Sequence, residues 1–231
     1  MTQITWLGHA TFQLRLDSGE VLLMDPWTEG NPAYPKGYQI QRADAIAVSH
    51  AHFDHIDDVV PIANKFNAKV VAIVETSAWF EKKGIKNTIG MNKGGTVDFG
   101  FVKVTMTHAV HSSGIKDGSD MIYGGEAAGY VLTQKDGRRA YFAGDTAVFS
   151  DMALIQQIYQ PELAFLPIGD HFTMDPHEAA HAARLLKVKK VIPMHFGTFP
   201  ALTGTPEALA DKLKGDAIEV WTLKPGQPVE W

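Results

Sequence analysis

The segment His50-Ala51-His52-Phe53-Asp54-His55 sets three imidazoles and one carboxylate within six residues, directly after the apolar run Ala45-Ile46-Ala47-Val48. Neutral imidazole and carboxylate are the ligands that zinc and its neighbours choose, so the chemistry on offer is metal binding. Residues two apart on an extended chain point the same way, which lets His50 and His52 present both rings to one ion. Asp54 and His55 lie past a turn, where the chain bends into the amphipathic stretch 57–66, and can face a second point nearby. The competing reading is a chance cluster of surface histidines, or one core histidine among them.

Three more candidates follow strands. His111 comes after the strand-like run 102–107, Asp145 after Tyr141-Phe142-Ala143-Gly144, and His195 after Val191-Ile192-Pro193-Met194. Layered folds deliver such strand ends to one edge, where functional groups collect. Asp145 competes with a turn aspartate or a helix N-cap before Thr146. His111 is preferred to His108, which still belongs to the strand, and His195 competes with a hydrogen-bonded core histidine. His9 after Gly8, and Asp25, close two early strands. They can sit behind the metal and hold a ligating imidazole in one tautomer, or be ordinary turn residues.

His177-Glu178-Ala179-Ala180-His181 matches the H-E-x-x-H pattern of zinc proteases. Asp175 and Glu178, however, form a D-x-x-E capping box, and Pro176 suits the first helical position. The extended motif also fails, with Arg184 and Lys187 where its Gly and third His would stand. A capped helix start is the reading adopted. His171 and His177 flank a loop and could position substrate or donate a proton, against the alternative of exposed polar loop residues.

These residues need a frame. Residues 4–7, 11–16 and 21–24 read as an antiparallel meander, and 31–38, with two Pro and two Tyr, as an irregular flap. A helix over 56–67, a strand over 69–74 and a helix over 77–83 bring α/β layering. Hairpins are expected at 96–99 with 101–106, and at 128–133 with 140–143 around Asp136-Gly137. A second mixed stretch holds helices near 150–159, 176–186 and 206–213, with strands at 163–166, 191–193 and 218–222. Two strand-rich blocks thus each precede a mixed block.

At 231 residues, 45% hydrophobic and 20% charged, the chain suits a single globular domain over 1–231. Without cysteine, any metal must be held by nitrogen and oxygen. A net charge of -5 and scattered basic pairs argue against a nucleic-acid partner. No run is long and apolar enough for a membrane span, and the N-terminus lacks a secretion signal, so a cytoplasmic location is expected. A homo-oligomer is compatible with the sequence.

The series His50-x-His52-x-Asp54-His55, His111, Gly144-Asp145-Thr146 and His195 resembles the motifs of the metallo-β-lactamase superfamily over essentially the whole chain. Gly8-His9-Ala10, Asp25-Pro26, His111-Ser112-Ser113 and Leu166-Pro167-Ile168-Gly169-Asp170 are similar to its uncharacterised metal-dependent hydrolase branch, related to the ascorbate-6-phosphate lactonase group. The resemblance implies a four-layer αββα sandwich, two mixed sheets face to face with helices outside. It also implies two divalent ions, zinc first and Mn, Fe or Ni as alternatives: His50, His52 and His111 on one, Asp54, His55 and His195 on the other, Asp145 bridging.

Such a centre would activate a bridging hydroxide against an ester, lactone or phosphodiester bond, with Asp54 and His171 as catalytic candidates. Two metals at +2, two Asp and a hydroxide leave one net positive charge, which favours a small anionic substrate. His52 stands where di-iron oxygen reductases of the superfamily carry Glu. The rival class is a non-catalytic metal-binding or sensing module on the same fold.

Overall fold

The computed structural model describes residues 1–231, which fall into two compact units. The first comprises 1–95, 112–127 and 223–231, the second 96–111 and 128–222. Each is built on a seven-stranded mixed sheet of one and the same plan.

In the first unit the meander Gln3–Trp6, Phe12–Arg15 and Val21–Met24 is antiparallel, extended at one edge by Pro228–Glu230. Ala45–Ala47, Lys69–Ile73 and Thr88–Met91 then add on in parallel. The inner strands are buried at every position but Lys69, as parallel strands covered on both faces must be. Helices Phe53–Ile56, Val59–Phe66 and Val74–Lys82 contribute Ile56, Val59, Ala63 and Phe80 to a core with Ile46 and Val70. The helix read over 56–67 is two helices, and Asp58 sits at their junction. Its carboxylate accepts the backbone N–H of Thr28 and Glu29 and makes no cap bond to its own helix.

The second unit repeats the scheme. Thr96–Asp98, Val102–His108, Ala128–Gln134 and Arg139–Phe142 are antiparallel, followed in parallel by Leu163–Pro167, Lys190–Met194 and Glu219–Val220. Helices Met152–Tyr159, Pro176–Leu186 and Pro206–Lys212 pack on it. The middle helix turns Ala179, Ala180, Ala182 and Ala183 inward, all fully buried, so its backbone can lie close to the sheet. No helix is long and apolar enough to cross a membrane.

Three elements of the first unit lie outside the sequence expectations: the strands Thr88–Met91 and Pro228–Glu230, and a separate two-stranded hairpin over 114–123, Gly114–Asp117 with Asp120–Tyr123. The flap over 31–38 is irregular as expected, and it presses on Gly8, where a Cβ would stand 2.7 Å from the Ala33 carbonyl carbon.

Gly169, after Leu163–Pro167, is tighter still: a Cβ there would meet the His195 carbonyl oxygen at 2.1 Å, backbone against backbone. Gly169→Ala is therefore expected to cost about 3 kcal/mol of stability, read from the shift of a urea denaturation curve. An unchanged midpoint would show that the two segments are free to part.

Candidate metal centre

Asp25 is the first residue after the strand Val21–Met24, and it is fully buried. Its strand pairs in parallel with Ala45–Ala47, which carries the following segment past it. The Ser49 backbone N–H donates to Asp25 Oδ1 at 2.7 Å, the Ser49 hydroxyl bonds Oδ2, and His55 Nδ1 lies 2.8 Å from Oδ2. Burial raises the Asp25 pKa, opposed by the charge and hydrogen bond of His55 and by the bonds from Ser49. One carboxylate thereby anchors two strand ends and a helix.

Ser49 Oγ is also 3.0 Å from His50 Nδ1. His50 Nε2 in turn lies 3.0 Å from His52 Nδ1, whose Nε2 is 3.2 Å from Ser112 Oγ. The His50 and His55 rings are 4.1 Å apart between centroids, and ligand atoms of Asp25, His50 and His55 lie within 4.8 Å of one another. Two imidazole nitrogens this close must share a proton or a cation. On one tetrahedral zinc, bonds of ~2.0–2.1 Å would hold them about 3.3 Å apart. The donors of this unit, all nitrogen and oxygen, fit a divalent ion of the zinc kind.

His9 Nε2 stands 3.0 Å from Asp54 Oδ2, with His9 fully buried and Asp54 nearly so. The His9 ring meets Trp27 edge-on at 5.2 Å, and Trp27 meets Phe53 at 5.7 Å. An aromatic wall thus fixes the imidazole that fixes Asp54, and Asp54 and His55 share the first turn of their short helix.

In the second unit Asp145 Oδ2 is 3.0 Å from His195 Nε2 and 3.7 Å from His111 Nε2. Asp145 and His195 are buried and His111 is half-buried. No helix starts at Thr146. Its hydroxyl accepts the Val110 N–H at 2.9 Å, tying the loop of His111 to that of Asp145. His108 ends its strand, exposed, against Phe149.

His171 takes part in none of these pairs. It is exposed at a loop tip beside Phe172, ring centroids 4.4 Å apart. The loop is pinned behind it by Asp170 N–H to the Met174 carbonyl and Met174 N–H to the Thr146 carbonyl.

Backbone strain follows the same residues. Eight non-glycine residues have positive φ, and Asn67, Gln160 and Lys187 are simply left-handed helix C-caps. The other five are His9, Asp25, Asp170, His171 and His195. Such conformations cost of order 1–3 kcal/mol each and cluster where side chains must be aimed.

Ser49 escaped the sequence reading. Only its place just before His50 marked it, and pairing with Asp25 depends on a strand register that the sequence does not spell out.

The H-E-x-x-H segment is a helix start. Asp175 caps Pro176–Leu186 by accepting the Glu178 N–H at 2.7 Å, while His177 and His181 are exposed. Asp175→Ala should cost about 1 kcal/mol in thermal denaturation. His181→Ala should leave bound metal unchanged by elemental analysis, and lost zinc would restore the protease reading.

Residues 20–196 match the model of the beta-lactamase superfamily domain. A UPF0173 metal-dependent hydrolase of Solibacter usitatus is 65% identical over 229 residues, covering 99% of this chain and 100% of its own. Another, of Koribacter versatilis, is 53% identical over 226 residues, covering 97% and 96%. The solved structure of Igni18, a metallo hydrolase of Ignicoccus hospitalis, matches with a TM-score of 0.87 at 32% identity, covering 99% of this chain and 97% of its own. The chain belongs to the beta-lactamase superfamily, with the metallo-β-lactamase fold, and within it to the UPF0173 metal-dependent hydrolases.

Proposed function

We propose that the protein hydrolyses an ester, lactone or phosphodiester bond of a small anionic substrate, using two divalent ions, zinc in the first instance. His50, His52 and His111 would hold one ion, Asp54, His55 and His195 the other, and Asp145 both. Membership of a metal-dependent hydrolase family supports the reaction class. The observation that carries the ligand reading is the pair of imidazole nitrogens, His50 Nε2 and His52 Nδ1, 3.0 Å apart. Bound there, the ions would act as Lewis acids and lower the pKa of a coordinated water toward ~7.

The chain's own groups prepare that chemistry. Asp25 and Ser49 hold His55 and His50 from behind, and His9 holds Asp54. Each would otherwise sample rotamers that scatter the donor atoms. His171, exposed on its pinned loop, is the candidate to position substrate or donate a proton. The bridging carboxylate role falls to Asp145, whose Oδ2 is within 3.7 Å of both His195 and His111 nitrogens.

The test pairs elemental analysis of gently purified protein with a panel of lactones, carboxylic esters and phosphodiesters. Wild type is expected to carry close to two ions per chain and to cleave at least one class. His52→Ala should lose metal and hydrolysis together, with activity falling to background. Full metal retention in that variant would sink the ligand assignment. A wild type that holds two ions yet cleaves nothing in the panel would favour the metal-binding module instead.

A further inference from the structure

We propose that Ser49 is a positioning residue, a hydroxyl relay through which the Asp25 carboxylate sets the tautomer of His50 while setting that of His55 directly. The inference rests on reading His50 and His55 as metal ligands, and it assigns a task to a residue that this reading does not use.

With its carboxylate ionised, as three converging donors favour against the cost of burial, Asp25 can only accept hydrogen bonds. Its Oδ1 accepts the Ser49 N–H and its Oδ2 accepts the Ser49 hydroxyl and His55 Nδ1–H. The single Ser49 hydroxyl proton is therefore committed to Asp25. Towards His50, 3.0 Å away, Ser49 Oγ has only a lone pair left, so His50 Nδ1 must bring the proton. His50 is then the Nδ1–H tautomer and carries its lone pair on Nε2. The same holds for His55, whose Nδ1–H is spent on Asp25.

His52 is the complement. Its Nδ1 faces the His50 Nε2 lone pair at 3.0 Å, so without a cation between them His52 Nδ1 carries the proton there, and its Nε2, 3.2 Å from Ser112 Oγ, accepts from the hydroxyl. Two histidines of one short segment thus present opposite nitrogens, with ring planes at 82°. The two serines hold the outer nitrogens, Nδ1 of His50 and Nε2 of His52. Ser49 has the more exacting part, since it is 1% exposed and water cannot take over the bond.

The experiment reads tautomers in metal-free protein by long-range nitrogen–proton NMR of 15N-histidine-labelled chain at mildly alkaline pH. Zinc affinity is measured alongside by competition with a chromophoric chelator, zinc alone being the probe. Wild type is expected to show His50, His52 and His55 all as Nδ1–H. Ser49→Ala should release His50 to the Nε2–H form, leave His55 unchanged and weaken zinc binding by about 10–100-fold. Ser49→Thr, which keeps the hydroxyl, should restore both readouts.

An Nε2–H His50 in wild type would overturn the relay without any variant. Unchanged zinc affinity and tautomer in Ser49→Ala would overturn it as well. A wild type with the expected tautomers that binds no zinc would support the relay and sink the ligand reading, which keeps the two failures apart.

Discussion

A carboxylate taken fully out of water costs several kcal/mol unless donors replace its hydration, and Asp25 is such a carboxylate. Its remedy shapes much of the first unit. A backbone N–H, a hydroxyl and an imidazole all have to arrive at one point, each charge-assisted bond contributing roughly 1.5–3 kcal/mol. That requirement locks Val21–Met24 beside Ala45–Ala47, holds Asp25 at φ 44 and seats the short helix that brings His55. Removing any one donor would leave the charge undercompensated, so the network forms as a whole or costs stability.

The second unit reaches a comparable end with a different device. Its sheet repeats the order of antiparallel strands followed by parallel ones, and its chemistry-bearing residues again follow strand ends. Here the rigid part is the backbone, with Gly169 against the His195 carbonyl and an alanine face bringing a helix down on the sheet. Shared topology without a detectable sequence repeat shows how little of a fold's plan depends on particular side chains.

What the sequence made legible was whatever had a local signature. The antiparallel meander, the capped helix Pro176–Leu186 and the ligand-type residues at strand ends were all written in nearest neighbours. What stayed hidden depended on distant partners. Asp58 breaks a continuous helical pattern because Thr28 and Glu29 need an acceptor. The strand Asp120–Tyr123 is exposed at every position and has no alternation to betray it. Pro228–Glu230 is a strand because Gln3–Trp6 offers an edge, where proline is tolerated. Ser49 looked like an ordinary loop serine until the register set it against Asp25.

The left-handed residues sort into two kinds with different uses for anyone wishing to harden this protein against heat. Gln160 and Lys187 end helices, and glycine there would relieve up to about 1 kcal/mol apiece without approaching a reactive group, whereas Asn67 ends a helix and also accepts the Asn87 amide N–H at 2.8 Å, a bond glycine would lose. His9, Asp25 and His195 cannot be traded in this way, since the side chain is the reason the backbone is bent. Thermal robustness can therefore be raised at the helix ends while the strain that aims the donors is left in place.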